Sequence, residues 1–118
     1  MPALPVLVLI ASDPRTSHRA FEAMRIGVGI VAGENEVTFV LVDGAVHLLD
    51  GDTDALVDGD DVAKFRGSLR GMGIPFHVEA AAVPADDPDW NADGHPVVPV
   101  DRDAIVALVR RARRVLVF

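Results

Sequence analysis

Glu79 stands inside Pro75-Phe76-His77-Val78-Glu79-Ala80-Ala81-Ala82, a run otherwise apolar enough for a buried strand. A carboxylate in such a place either projects past the strand end into a pocket or interface, or is buried and needs hydrogen bonds, a cation or a proton to offset its lost hydration. His77 precedes it by two residues, so in a strand the two side chains share a face about 7 Å apart. Such a pair can relay a proton, join a metal site, or serve as a structural or intersubunit contact. Ser12, Asp13, Asp43 and Gly44 follow two further apolar runs. In an open α/β sheet, ligands bind outside the carboxyl ends of parallel strands. If the three runs are neighbouring parallel strands, Asp13, Asp43 and Glu79 converge at one rim. Three carboxylates there could hold Mg²⁺ or Ca²⁺, or share a proton as an acid/base pair. Asp13 and Asp43 are equally explained as a helix cap and a turn residue.

The elements that would position these groups are legible from periodicity. Residues 5–11 form a continuous apolar run suited to a central strand covered on both faces. Ser12-Asp13-Pro14 breaks the run, and Ala20, Phe21, Met24, Val28 and Val31 then recur at helical spacing up to a stop at Gly33. Residues 36–42 are a second strand, so the chain opens as βαβ, for which a right-handed crossover and a parallel pair are expected. Residues 45–49 fit a short helix or a hairpin arm. Residues 50–61 hold six aspartates and two glycines and read as a mobile solvated loop. They do not read as a calcium loop, because Ala55 and Asp61 fall where an EF-hand needs glycine and glutamate.

Asp60 or Asp61 caps a helix with Val62, Phe65, Leu69 and Met72 inward, ended by Gly71 and Gly73. Strand three is expected from residue 74 to about 82. Residues 83–99 contain four prolines, four aspartates and the only tryptophan, Trp90. A loop of that length in a small domain is usually functional or interfacial. Asp101 caps a last helix carrying Ile105, Leu108, Val109 and Ala112 inward, and residues 115–118 close the chain as a strand. The expected fold is α/β, a doubly wound and mostly parallel sheet of four to five strands with helices on both faces, in a single domain spanning residues 1–118.

Composition narrows function. The chain has 118 residues, half of them hydrophobic, and a net charge of −7. That charge argues against nonspecific binding to nucleic acid or an anionic membrane. With no cysteine there is no disulfide, zinc-thiolate or thiol chemistry. The apolar run near the start has no basic residue before it and ends too early for a span, so a cytoplasmic location is expected. Arg110, Arg111, Arg113 and Arg114 complement the dipole at the end of the last helix, as a solvated face. Gly27-Val28-Gly29 lies inside a helix, where its glycines serve close packing and not a nucleotide. His18, His47 and His95 are scattered without ligand spacing. No metal or other cofactor is expected.

With its elements placed, the chain resembles the DsrE-like family, which includes TusD-type sulfur-relay subunits. The resemblance rests on Val8-Leu9-Ile10-Ala11-Ser12-Asp13-Pro14 opening into the first helix, and on Glu36-Val37-Thr38-Phe39-Val40-Leu41 before Asp43-Gly44-Ala45-Val46. It rests also on Gly73-Ile74-Pro75-Phe76-His77-Val78 and the terminal Val115-Leu116-Val117-Phe118. In persulfide-carrying members of that family the sulfur-bearing cysteine follows the third strand, at about the position of Glu79. This chain departs from the family there. The resemblance therefore implies fold, cytoplasmic location and assembly, as a homo-oligomer (trimer or hexamer) or a hetero-oligomer with related subunits. The function expected is a non-catalytic binding or assembly module, with Ser12, Asp13, Asp43, Gly44, His77, Glu79 and Trp90 as candidate pocket or interface residues. The alternatives are a small metal-dependent or acid/base enzyme using the rim carboxylates, and an accessory subunit of a sulfur-relay complex.

Overall fold

A computed structural model describes residues 4–118. Its elements in chain order are β1 (Leu4–Ile10), α1 (Arg19–Ala32), β2 (Val37–Leu41), a 3₁₀ helix (Asp43–Leu49), α2 (Gly59–Gly71) and β3 (Phe76–Glu79). A short 3₁₀ turn (Ala80–Ala82), β4 (Val97–Val100), α3 (Arg102–Arg111) and β5 (Ala112–Val117) follow. The five strands form one sheet in the order β4-β3-β2-β1-β5, and every neighbouring pair is parallel. The single α/β domain with helices on both faces agrees with the sequence expectation. Among the described residues no helix is long and apolar enough to cross a membrane.

The pleat divides the strands between two unequal layers. Val8, Ile10, Phe39, Leu41, Phe76 and Val78 face α1 and α2 and are fully buried with Ala20, Ala23, Met24, Val62 and Leu69. Phe39 and Phe76 meet edge to face, with ring centroids 5.4 Å apart. Gly27 is what lets α1 come this close, since a Cβ there would run into the Phe39 ring. The other face carries one row of register partners, Val98, His77, Val40, Leu9 and Val117. Among the described residues α3 is the helix that packs on it, over β1 and β5, and no residue of α3 is buried.

Several boundaries differ from expectation for physical reasons. Strand three ends at Glu79 and not near residue 82, because Ala80–Ala82 turns into a 3₁₀ helix. Of the two forms residues 45–49 could take, the short helix is the one found, as part of the 3₁₀ helix Asp43–Leu49. β4 lies within the long Pro/Asp segment, and its Pro99 is tolerated because the strand is an edge. The residue flanking α2 is Asp58, in the left-handed region at φ 56°, while Asp60 and Asp61 occupy the first turn. Asp101 does cap α3, accepting from the Ala104 N–H at 2.8 Å. The terminal strand begins three residues earlier than expected, at Ala112.

The two polar segments hold each other in place. The Gly51 N–H donates to the Asp89 carbonyl at 2.9 Å and the Asn91 N–H to the Leu49 carbonyl at 2.8 Å. The Asp89 carboxylate accepts from the Asp52 N–H at 3.1 and 3.2 Å. Leu56 is buried, and the Val57 N–H donates to the Pro14 carbonyl at 2.7 Å. The acidic stretch is thus a tied set of turns rather than a free solvated loop.

Candidate functional site

Because β1, β2 and β3 are adjacent and parallel, their carboxyl ends share a rim, as the sequence required. What gathers there is a narrower set than the one read from sequence. An open cleft of about 470 Å³ is lined by Asp43, Gly44 and His47 from the 3₁₀ helix after β2, by Glu79, Ala81 and Ala82 at the end of β3, and by Arg102 at the start of α3. Glu79 is half-buried and projects past its strand: its Oε1 accepts the Asp43 N–H at 3.0 Å. Asp43 has φ 49°, a left-handed conformation that aspartate tolerates better than most residues. Gly44 follows because Asp13 crowds it. A Cβ at Gly44 would lie 2.7 Å from Asp13 Oδ2 and 2.8 Å from Asp13 Cβ.

The remaining candidates do not line the cleft, although Asp13 borders it at Gly44. Asp13 is held by Arg15, whose Nη2 and Nε donate at 2.7 and 3.1 Å. That guanidinium keeps the Asp13 carboxyl below its usual range. Ser12 donates its hydroxyl to the Phe118 carbonyl at 2.7 Å, tying β1 to the chain end. His77 shares the Glu79 face but stays on the sheet between Val40 and Val98. Its Nδ1 is buried without a hydrogen-bond partner among the described residues, and burial pushes its pKa down. It lies outside the cleft lining. Trp90 packs against the domain's own core and donates its indole N–H to the Val46 carbonyl at 2.9 Å. Among the described residues no group of three His, Asp or Glu side chains could hold a metal ion, so the rim carboxylates do not assemble the cation site weighed from sequence.

Sequence reasoning missed the best-organised pair at the rim. His47 Nδ1 lies 3.0 and 3.1 Å from the two carboxylate oxygens of Asp50. Both side chains are largely shielded, 16% and 14% exposed. Burial raises the Asp50 pKa against the opposing pull of His47. The contact sets the Nδ1–H on the Asp50 carboxylate and leaves Nε2 without a protein partner among the described residues. The pair rests on a rigid base. Arg66, only 3% exposed, donates through Nη1 to the Leu48 and Asp50 carbonyls at 2.8 and 2.7 Å, and through Nη2 to Asp93 at 2.8 Å. An i, i+3 spacing of His and Asp would have been a usable signal, since a 3₁₀ helix stacks those positions, but only once residues 43–49 were known to be 3₁₀. Arg102 carried no signal beyond following a capping aspartate.

The sequence matches no protein-family model and no curated protein. Its structure matches the crystal structure of the YchN protein from E. coli with a TM-score of 0.77 over 100% of both chains, at 16% sequence identity. The chain therefore shares the fold of that protein. At that identity the likeness reaches the architecture and no further. At the carboxyl end of β3 this cysteine-free chain carries Glu79.

Proposed function

We propose that this chain is a binding and assembly module of DsrE-like fold that carries no persulfide of its own, with the carboxyl-end cleft as its ligand or subunit contact. The observation that carries the reading is Glu79 itself. It occupies about the place where the family resemblance puts a sulfur carrier, and its carboxylate is fixed by the Asp43 N–H while still lining an open cleft. The thin cover over the α3 side of the sheet supports assembly as a homo-oligomer, trimer or hexamer, or with related subunits. An accessory role in a cytoplasmic sulfur-relay complex is the form of this reading that requires a cysteine-bearing partner.

Glu79→Gln tests it. The change is nearly isosteric and keeps an acceptor for the Asp43 N–H, so the fold should remain while ligand uptake or assembly changes. A variant equal to wild type in melting, assembly mass and ligand titration would remove Glu79 from the function. A second reading, acid/base chemistry at the rim, is favoured by the His47–Asp50 pair. It predicts exchange of a ligand C–H with solvent deuterium, abolished by His47→Asn, whereas a purely binding cleft gives no exchange in either protein.

A further inference from the structure

The cleft is lined by side chains of both charges. The Asp43 carboxylate and Glu79, with one oxygen committed to a backbone N–H and one open, stand on the β2–β3 side, and Arg102 stands at the start of α3, beyond the edge strand. Arg102 and the Asp43 carboxylate form no hydrogen bond or ion pair among the described residues. An ion pair across the cleft would close it; the structure leaves it open. His47 also lines the cleft, with its Nδ1 occupied by Asp50. Its Nε2 has no partner and is not among the buried unpartnered atoms, so it is open to solvent in the lining. The small side chains of Ala81 and Ala82 complete the site.

We infer that the cleft takes a small molecule carrying both a primary ammonium and a carboxylate, of the amino-acid zwitterion class. This rests on reading the cleft as a ligand site. The guanidinium is a planar fork suited to a carboxylate. The Asp43 carboxylate and the Glu79 oxygen not held by the Asp43 N–H are acceptors for an ammonium. A bare cation is a poorer fit, because no three of these groups close on a metal ion and Arg102 would repel it. A simple anion is a poorer fit, because Asp43 and Glu79 face the same space. The alanines leave room for a short side chain.

The test is a titration of the full chain near neutral pH, following the His47 ring by NMR, with L-alanine, N-acetyl-L-alanine and L-alaninamide as separate probes. L-alanine is expected to shift the His47 resonances saturably. Each analogue lacks one charge and should bind at least about ten-fold more weakly, the scale of one lost charge-assisted hydrogen bond. Arg102→Ala should weaken L-alanine by a similar factor, while Arg110→Ala, an exposed position outside the cleft on the same helix, should leave it unchanged. If either analogue binds as well as L-alanine, or Arg102→Ala has no effect, the zwitterion assignment falls and the cleft survives as a site for another class. If none of the three probes perturbs a cleft residue, the assignment falls; loss of every effect of Glu79→Gln as well would bring down the ligand-site reading with it.

Discussion

The two faces of the sheet are made by the same strands and are finished to different degrees. On the α1/α2 side, Phe39, Leu41, Phe76 and Val78 are essentially inaccessible, and the buried Arg66 guanidinium is paired with the Leu48 and Asp50 carbonyls and with Asp93. On the α3 side, Leu7 and Val40 are covered, but Val98, Val115 and Val117 remain 40%, 36% and 60% exposed, and Val106 of α3 is 43% exposed. One chain can close only the first face. The second exposes apolar side chains that a monomer gains nothing by keeping, and the proposed self-association would cover them. Trp90, in the loop expected from sequence near a subunit contact, packs on the core of the closed side and donates to the Val46 carbonyl.

The sharpest way to break this contrast is to make the closed face fail. Phe39→Ala removes a ring that touches Phe76 edge to face and fills the notch left by Gly27. It should cost about 3–5 kcal/mol, read as a lowered urea midpoint at unchanged slope. A loss under about 1 kcal/mol would mean that the site collapses easily and that the α1/α2 layer is not the stability-determining one.

Next in size is Arg66→Leu. The substitution keeps α2 apolar contact but strips the Leu48 and Asp50 carbonyls of their donor. Buried carbonyls without partners cost about 1–3 kcal/mol each, so a loss on the order of 2–4 kcal/mol is expected. Amide hydrogen exchange should quicken over residues 43–50 before it does in β1 or β2. Uniform quickening would show that Arg66 supports the whole core and not the wall of the cleft.

How much of this was readable in advance follows from the range of the contacts. Local periodicity gave β1, α1, β2, α2 and α3, because each buries a stripe that repeats within a few residues. β4 escaped because Val97-Val98-Pro99-Val100 is four residues with a proline, and only its pairing with β3 makes it a strand. The rim was half legible. Asp43 and Glu79 follow from strand ends, yet the bond between them spans 36 positions, and the Trp90 contact that fixes the 3₁₀ helix spans 44. No local pattern encodes those distances. His47 looked like a stray histidine for the same reason: its partner is three residues away, but the helix that aligns them is held by Arg66 and Trp90 from elsewhere in the chain.

A smaller effect on folding, but a larger one on assembly, is expected for Val117→Asp. At 60% exposure the substitution should change monomer stability by no more than about 0.5 kcal/mol. If the α3-side face binds a second copy, a buried unpaired carboxylate should drive the mass found by light scattering toward the monomer. A wild-type monomer at high concentration, or a variant that assembles unchanged, would leave the open face without a partner of its own kind.

The smallest effect uses one histidine from each face. His95 is 2% exposed, packs on Phe76 with centroids 4.7 Å apart, and has Nε2 2.9 Å from the Ile74 carbonyl. His77 is half-buried on the open face. Burial lowers both pKa values from 6.5, opposed in part by the Ile74 and Phe39 carbonyls, and Arg70 and Arg66 lower His95 further. In the unfolded chain both titrate near about 6.5. Below that value the unfolded state takes up protons that the folded state resists, so stability is retained above it and falls as the pH drops toward the depressed folded values. His77→Asn should flatten part of this acid limb. The two histidines separate by concentration. A second copy over the α3 side would bury His77 more deeply and leave His95 as it is, so the His77 share of the acid limb should steepen as protein concentration rises. Urea midpoints measured across that pH range at low and high concentration, for wild type and His77→Asn, decide it: a concentration dependence that persists in the variant would assign the effect away from His77 and away from the open face.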